Sequence, residues 1–474
     1  MTRKVHERFP LSAAALTLAL VIWGALAWAQ PLPNMDQTIT PLGTGLGGAP
    51  DSLGRAARPV DDTQLKQVII FGRHSVRAPI VANSTLDSFS ALPFPAFPVD
   101  TGILTPNGAT LETILGGYYR LWLTKEGLLT GNDPADASFT YFRANVIERT
   151  IATAKAFGSG LLPAATVNVI NANPTPPNDP LFDPVGAGVA RLDARMAVAA
   201  VKGRLGDNPQ SLASAYASEL ALTRSILFDY PASETPVPAT PEGKVDVTTI
   251  PIDVTAGTNG SPVTIGGMSS VLLATDPFIM EYADGLPASD VGWGRLSPGG
   301  ISQISRIYNL LLDLEFRTPY LDKVQSSNVA SHVVRSMVQS ATGNAMTGAL
   351  GNPSTKVIVL IASDVNVTGL GGLFHLDWIL PGYQTDFCGP GGALVFQLRQ
   401  SQSTGEYVVR ASYIAQTLNQ LRSLTPLTLA TPPAIAPLFI PGCSVHNATF
   451  DCPLADFVPL ARHAIDPLSA DLTE

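Results

Sequence analysis

The chain is predicted to adopt an α/β fold: a mostly parallel central sheet flanked by helices, interrupted by a mostly helical insertion. Three observations carry that expectation. Residues 65–71 and 357–362 are short, apolar, β-branched runs of the kind buried on both faces in a parallel sheet. Each run ends in a polar turn, Arg73-His74-Ser75 in one case and Ser363-Asp364 in the other. The long stretch between them reads chiefly as helix. Taken in order, residues 30–63 are rich in Pro and Gly without periodicity and read as a flexible leader. Order begins near Leu65. Helical patterning then covers 108–126, 148–161, 187–205 and 211–227. Residues 230–267 form a Pro/Thr/Gly-rich interruption with two short alternating runs, a loop or a hairpin. Helices resume at 268–285 and 300–316. These limits divide the chain into residues 1–29, the leader 30–63, an α/β domain from 64–186 and 318–474, and a helical insertion at 187–317.

Composition narrows the function classes. With 474 residues, 45% of them hydrophobic and 14% charged, the chain can bury a large core and is neither disordered nor a charged coiled coil. Lys plus Arg number 29 against 38 Asp plus Glu, a formal charge of -9, which excludes general nucleic-acid binding. Arg3, Lys4 and Arg8 precede an uncharged stretch from Phe9 to Ala29 that closes on Ala27-Trp28-Ala29. A positive start, apolar middle and Ala-x-Ala exit are the parts of a secretory signal peptide; the alternative is a retained anchor. Cleavage after Ala29 removes Arg3, Lys4, Glu7 and Arg8, two net positive charges, and takes -9 to -11. The expected location is periplasmic or secreted, with no membrane attachment after cleavage. In that oxidising setting Cys443 and Cys452, in one short polar loop, either bridge each other or stay free, and the compartment favours the bridge. Cys388 is left over, a buried thiol or a stray reactive group.

The chemistry is concentrated in Arg73-His74-Ser75-Val76-Arg77-Ala78-Pro79. Open α/β sheets place their sites outside the carboxyl ends of the strands, where this turn falls. Two arginines around a histidine suit an anion with several oxygens, because guanidinium groups fork onto phosphate. If the two buried strands are neighbours, Asp364 shares one cleft with His74. Taken singly, each piece has a plainer reading: a solvated turn, or an Asp that caps the following helix. His332, His375, His446 and His463 lie at no metal-ligand spacing, so neither metal nor cofactor is expected. The sequence contains no Gly-x-Ser-x-Gly elbow and no P-loop.

The turn resembles the signature of the histidine acid phosphatases, branch 2 of the histidine phosphatase superfamily, and in particular bacterial periplasmic phytases and glucose-1-phosphatases. Further matching stretches are Asn145-Val146-Ile147-Glu148-Arg149-Thr150, Gly292-Trp293-Gly294-Arg295, Pro390-Gly391-Gly392 and the Cys443–Cys452 loop. The resemblance implies a metal-free, two-step hydrolysis of a small phosphorylated substrate. In it His74 is the nucleophile, Asp364 the proton donor, and Arg73, Arg77 and Arg149 the phosphate ligands. Clustered positive charge also lowers the pKa of a histidine and keeps it a neutral nucleophile in mildly acidic solution.

Two departures stand out. Ser75 replaces the family's usual Gly. Ser363 stands where the family has a second active-site histidine, and as a phosphate ligand it offers one hydrogen bond but no charge. The competing expectation is therefore a phosphate-ester-binding paralogue with little turnover. Ile80 and Val81 follow Pro79 where the well-known phytases carry a lysine, and Tyr308 and Gln325 lie where those enzymes place basic side chains or histidine. Asp276 either contacts a substrate hydroxyl or caps its helix. A sugar phosphate or a broad range of monoesters is thus favoured over phytate. The preferred ester and the oligomeric state are not legible.

Overall fold

A computed structural model of the protein describes residues 61–171, 178–257 and 261–471. The expected signal peptide and the leader up to residue 60 lie outside the described residues.

Among the described residues ten strands form: β1 (Thr63–Arg73), β2 (Thr140–Ala144), β3 (Val169–Ile170), β4 (Val254–Ala256), β5 (Val263–Ile265), β6 (Val357–Ala362), β7 (Ala393–Ser401), β8 (Tyr407–Ala415), β9 (Ala434–Leu438) and β10 (Cys452–Pro453). The main sheet runs β10-β8-β7-β1-β6-β2-β3, with β9 also on β8. The pairs β1–β6, β6–β2 and β2–β3 are parallel. β7 continues the sheet antiparallel on the other side of β1, and β8, β9 and β10 extend it. The α/β fold with a parallel centre is therefore present, and an antiparallel wing is added to it. β6 is buried along its whole length and β1 over its last seven residues, as their unbroken apolar runs require.

The principal helices are α1 (Pro106–Lys125), α2 (Glu148–Leu161), α3 (Ala194–Arg204), α4 (Ala217–Phe228), α5 (Gly266–Ala283), α6 (Pro298–Phe316), α7 (Pro319–Thr342) and α8 (Asp364–Leu373). The patterning located α2 at its observed bounds. α3 starts later than residue 187 because Asp193 is its N-cap, accepting from the Arg195 and Met196 N–H groups. The expected 211–227 helix is broken at Tyr216 into Ser211–Ala215 and α4. The 230–267 interruption contains the β4–β5 hairpin.

Two cores flank the main sheet, one containing Phe71, Leu360 and Phe396, the other Ile70, Val359 and Phe157. A third, containing Val201, Ile226, Met268, Phe278, Ile304 and Leu311, ties α3 to α6 together. We propose residues 187–317 as the insertion on that basis.

Candidate active site

β1 and β6 are adjacent and parallel, with Arg73 opposite Ala362, so their C-terminal turns open at one edge of the sheet. The His74 N–H donates to the Ala362 carbonyl at 2.9 Å, and Ser363 N-caps α8, whose first residue is Asp364. From the other side α1 presses onto the turn: Thr105 N–H donates to the Val76 carbonyl, and a Cβ at Gly108 would lie 2.2 Å from that same oxygen. Only glycine permits so close an approach.

His74 is 2% exposed. Its Nδ1 lies 2.8 Å from the Ser75 carbonyl, which can only accept. Nδ1 therefore carries the proton and Nε2 keeps its lone pair. Burial, reinforced by the charges of Arg73, Arg77 and Arg149, holds the imidazole well below its ordinary pKa. Arg73 forms an ion pair with Asp364 at 3.0 Å and donates to the Cys388 carbonyl at 2.5 Å. Burial works to raise the Asp364 carboxyl, but the Arg73 charge, a hydrogen bond from Tyr308 and the Arg77 charge outweigh it and keep it ionised. The Tyr308 hydroxyl donates to Asp364 Oδ2 at 2.5 Å, and its ring lies 5.6 Å from the Arg73 guanidinium.

Arg77 is bound by Asp276 through two hydrogen bonds of 2.9 and 3.2 Å. Arg149, near the start of α2, is half-buried, and burial together with the Arg77 charge pushes it down to about 10. The Nε–H groups of Arg73, Arg77 and Arg149 are buried and find no partner among the described residues. Buried donors are rarely left unmade. Anionic oxygens are the acceptors that guanidinium groups favour.

Of the residues singled out from sequence, Arg73, His74, Arg77, Arg149, Ser363, Asp364 and Asp276 thus fall around one cleft. Asp276 is not a helix cap: it lies well inside α5, and its carboxylate holds Arg77. The Gln325 amide donates to the Leu321 carbonyl of its own helix and to the Glu315 carbonyl of α6. Cys443 and Cys452 form a disulfide with Cα atoms 5.2 Å apart, and Cys388 is a buried free thiol. The contact missed in the sequence is that of Tyr308 with Asp364. It joins two elements far apart in the chain, which no local pattern marks. Among the described residues no cluster of His, Cys, Asp or Glu is arranged to hold a metal ion, and no helix is long and apolar enough to cross a membrane.

A buried imidazole with a free lone pair, ringed by guanidinium groups and faced by a carboxylate, defines a site for chemistry on phosphate esters. Comparison with known proteins narrows the class. Residues 64–218 match the histidine phosphatase superfamily (branch 2). The chain is 30% identical over 416 residues to the phytase AppA of Escherichia coli strain K12, covering 87% of this chain and 94% of that protein. It is 28% identical over 407 residues to a glucose-1-phosphatase of Providencia rettgeri, covering 85% and 93%. Among solved structures, the Hafnia alvei phytase in complex with tartrate superposes with a TM-score of 0.76 at 31% identity, covering 87% of this chain and 99% of that one. The chain belongs to branch 2 of the histidine phosphatase superfamily and is a histidine-type acid phosphatase.

Proposed function

We propose that the protein is an exported acid phosphatase that hydrolyses phosphomonoesters through a phosphohistidine at His74. The observation that carries this reading is the Nδ1-protonated, neutral His74 among three arginines with unmade N–H bonds. Arg73, Arg77 and Arg149 bind the phosphoryl oxygens, and the His74 Nε2 lone pair attacks phosphorus. The P–O ester bond breaks with its electron pair on the leaving oxygen, which takes a proton from Asp364. In the second step the Asp364 carboxylate accepts a proton from water, and the water oxygen displaces His74 from phosphorus. Inorganic phosphate and neutral His74 result.

Asp364 is ionised before substrate arrives, so its proton comes with the ester. A phosphate monoester has a second pKa of about 6 and below that pH enters as a monoanion. Its negative charge, taken up by Arg73 beside Asp364, raises the carboxyl pKa, so that the proton the ester brings passes to Asp364 in the complex. The working range is therefore acidic, with kcat/KM falling above about pH 6. Substrates in view are sugar phosphates or a broad range of monoesters; the relatives include a phytase and glucose-1-phosphatases. The test is a panel of p-nitrophenyl phosphate, sugar phosphates and phytate across acidic pH, with His74→Ala alongside. Loss of activity in the variant is expected, and full retention would overturn the assignment of the nucleophile.

A second reading is a phosphate-ester-binding protein with little turnover. It is favoured by Ser363, an N-cap whose backbone N–H is bonded by Asn366 and which brings no charge to the phosphate. Calorimetry showing tight ester binding without phosphate release supports it. A large gain of rate in Ser363→His would locate the defect there.

A further inference from the structure

The main chain around His74 is fastened at four points. The His74 N–H donates to the Ala362 carbonyl at 2.9 Å, and the His74 carbonyl accepts from the Gly391 N–H at 3.2 Å. The Ser75 carbonyl accepts the Nδ1 proton of the imidazole at 2.8 Å. The Ser75 N–H donates to Thr153 Oγ1 at 3.1 Å. Of these partners, Thr153 is the one that reaches in with a side chain from another element.

Thr153 lies in α2 and is fully buried. A threonine inside a helix commonly turns its hydroxyl back to the carbonyl four residues earlier. Thr110, Thr113, Thr275 and Thr342 do so here, at 2.9–3.0 Å. Thr153 does not: its one side-chain hydrogen bond among the described residues is with Ser75. Arg149 stands four residues before it, so guanidinium and hydroxyl share one face of α2. One helix thus carries a phosphate-binding group and, a turn further on, a support for the histidine. The peptide between His74 and Ser75 is gripped at both ends, by Gly391 at its carbonyl and by Thr153 at its N–H. Its orientation places Ser75, whose carbonyl fixes the tautomer and rotation of the imidazole. Attack on phosphorus tolerates little error here, since a misplacement of about 1 Å can cost about a hundredfold in rate.

We infer that Thr153 is a positioning residue for phosphoryl transfer: through the Ser75 N–H, its hydroxyl holds the His74 ring so that Nε2 faces the phosphoryl group bound by Arg149. The inference rests on the reading of His74 as the nucleophile, and the experiment keeps the two apart.

Three variants separate the hydroxyl from packing. Thr153→Val keeps the branched shape and loses the hydroxyl, Thr153→Ser keeps the hydroxyl and loses the methyl, and Thr153→Ala loses both. On p-nitrophenyl phosphate, kcat should fall roughly 10–100-fold in the Val and Ala variants and stay within about threefold of the parent in Ser. Inhibition by inorganic phosphate, which reports the arginines, should change less than about threefold in all three. A role in packing alone predicts a different order, with Ser and Ala impaired together and Val like the parent. Should Thr153→Val fail to fold, Thr153→Ala against Thr153→Ser decides the same question, because both lack the methyl. Nitrogen-15 NMR of the imidazole, assigned with His74→Ala, adds a readout independent of turnover: both His74 nitrogen resonances should shift when the hydroxyl is lost and hold when it is kept. Rates that follow the methyl, parental kcat without the hydroxyl, or unshifted His74 resonances without it overturn the inference. Parental rates in His74→Ala overturn instead the nucleophile assignment on which it rests.

Discussion

Tyr308 shows how one side chain sets the state of another. Its hydroxyl donates to the same Asp364 oxygen that pairs with Arg73, and both contacts favour the carboxylate over the acid. Tyr308→Phe removes one of them, so the Asp364 pKa rises. The limb of the kcat–pH profile set by protonated Asp364 in the substrate complex should then move to higher pH, while kcat falls roughly tenfold through lost positioning. A purely structural role would lower the melting temperature and leave the profile where it was. At this scale the sequence was legible where chemistry is local. Arg73, His74 and Arg77 share a turn, and Asp364 follows a strand that could be paired with the first by its composition. Tyr308 with Asp364 and Arg77 with Asp276 join different elements through helix packing, which no local pattern records.

At the scale of elements, the Arg77–Asp276 pair ties the turn after β1 to the middle of α5. Its side chains are only 6% and 10% exposed. Removing one partner of a buried pair leaves an uncompensated charge and costs about 3–5 kcal/mol. Asp276→Ala should lower the melting temperature accordingly. Inorganic phosphate, by giving Arg77 a new anion, should raise it more in the variant than in the parent protein. Equal phosphate shifts in both would show that Arg77 does not face the anion. The helices read best from sequence were amphipathic, α2 above all. α7, the longest among the described residues, is not legible in the sequence because its buried face carries Ser326, Ser327, Asn328, Ser331 and Ser336 among scattered apolar residues, blurring the periodicity. Its ends were nevertheless marked, by Pro319 at the start and by Gly343 at φ 70°. The antiparallel wing was equally hidden. The first part of β7, buried on both faces, shows no alternation to announce a strand.

For the whole molecule, buried carboxyls set the response to pH. Burial pushes Glu112, Glu281 and Glu315 each up to about 8. In the unfolded chain such groups titrate near about 4.3. Between these values the unfolded state binds fewer protons than the folded one, so stability is full below the lower value and is lost as pH rises toward the higher. His74, held neutral, acts in the opposite direction below its ordinary pKa, but it is one group against three. The melting temperature should therefore be higher at pH 5 than at pH 8, matching the acidic range expected for catalysis. A melting temperature that rises from pH 5 to pH 8 would mean these carboxyls are ionised in the fold.

The account stands on His74 as the group that bonds to phosphorus. The direct measurement is to quench turnover of a radiolabelled phosphate ester within milliseconds and map the label on the denatured chain. The prediction is a base-stable, acid-labile phosphoryl group on His74, absent from His74→Ala. Turnover with no covalent label, or with the label on another residue, would contradict it.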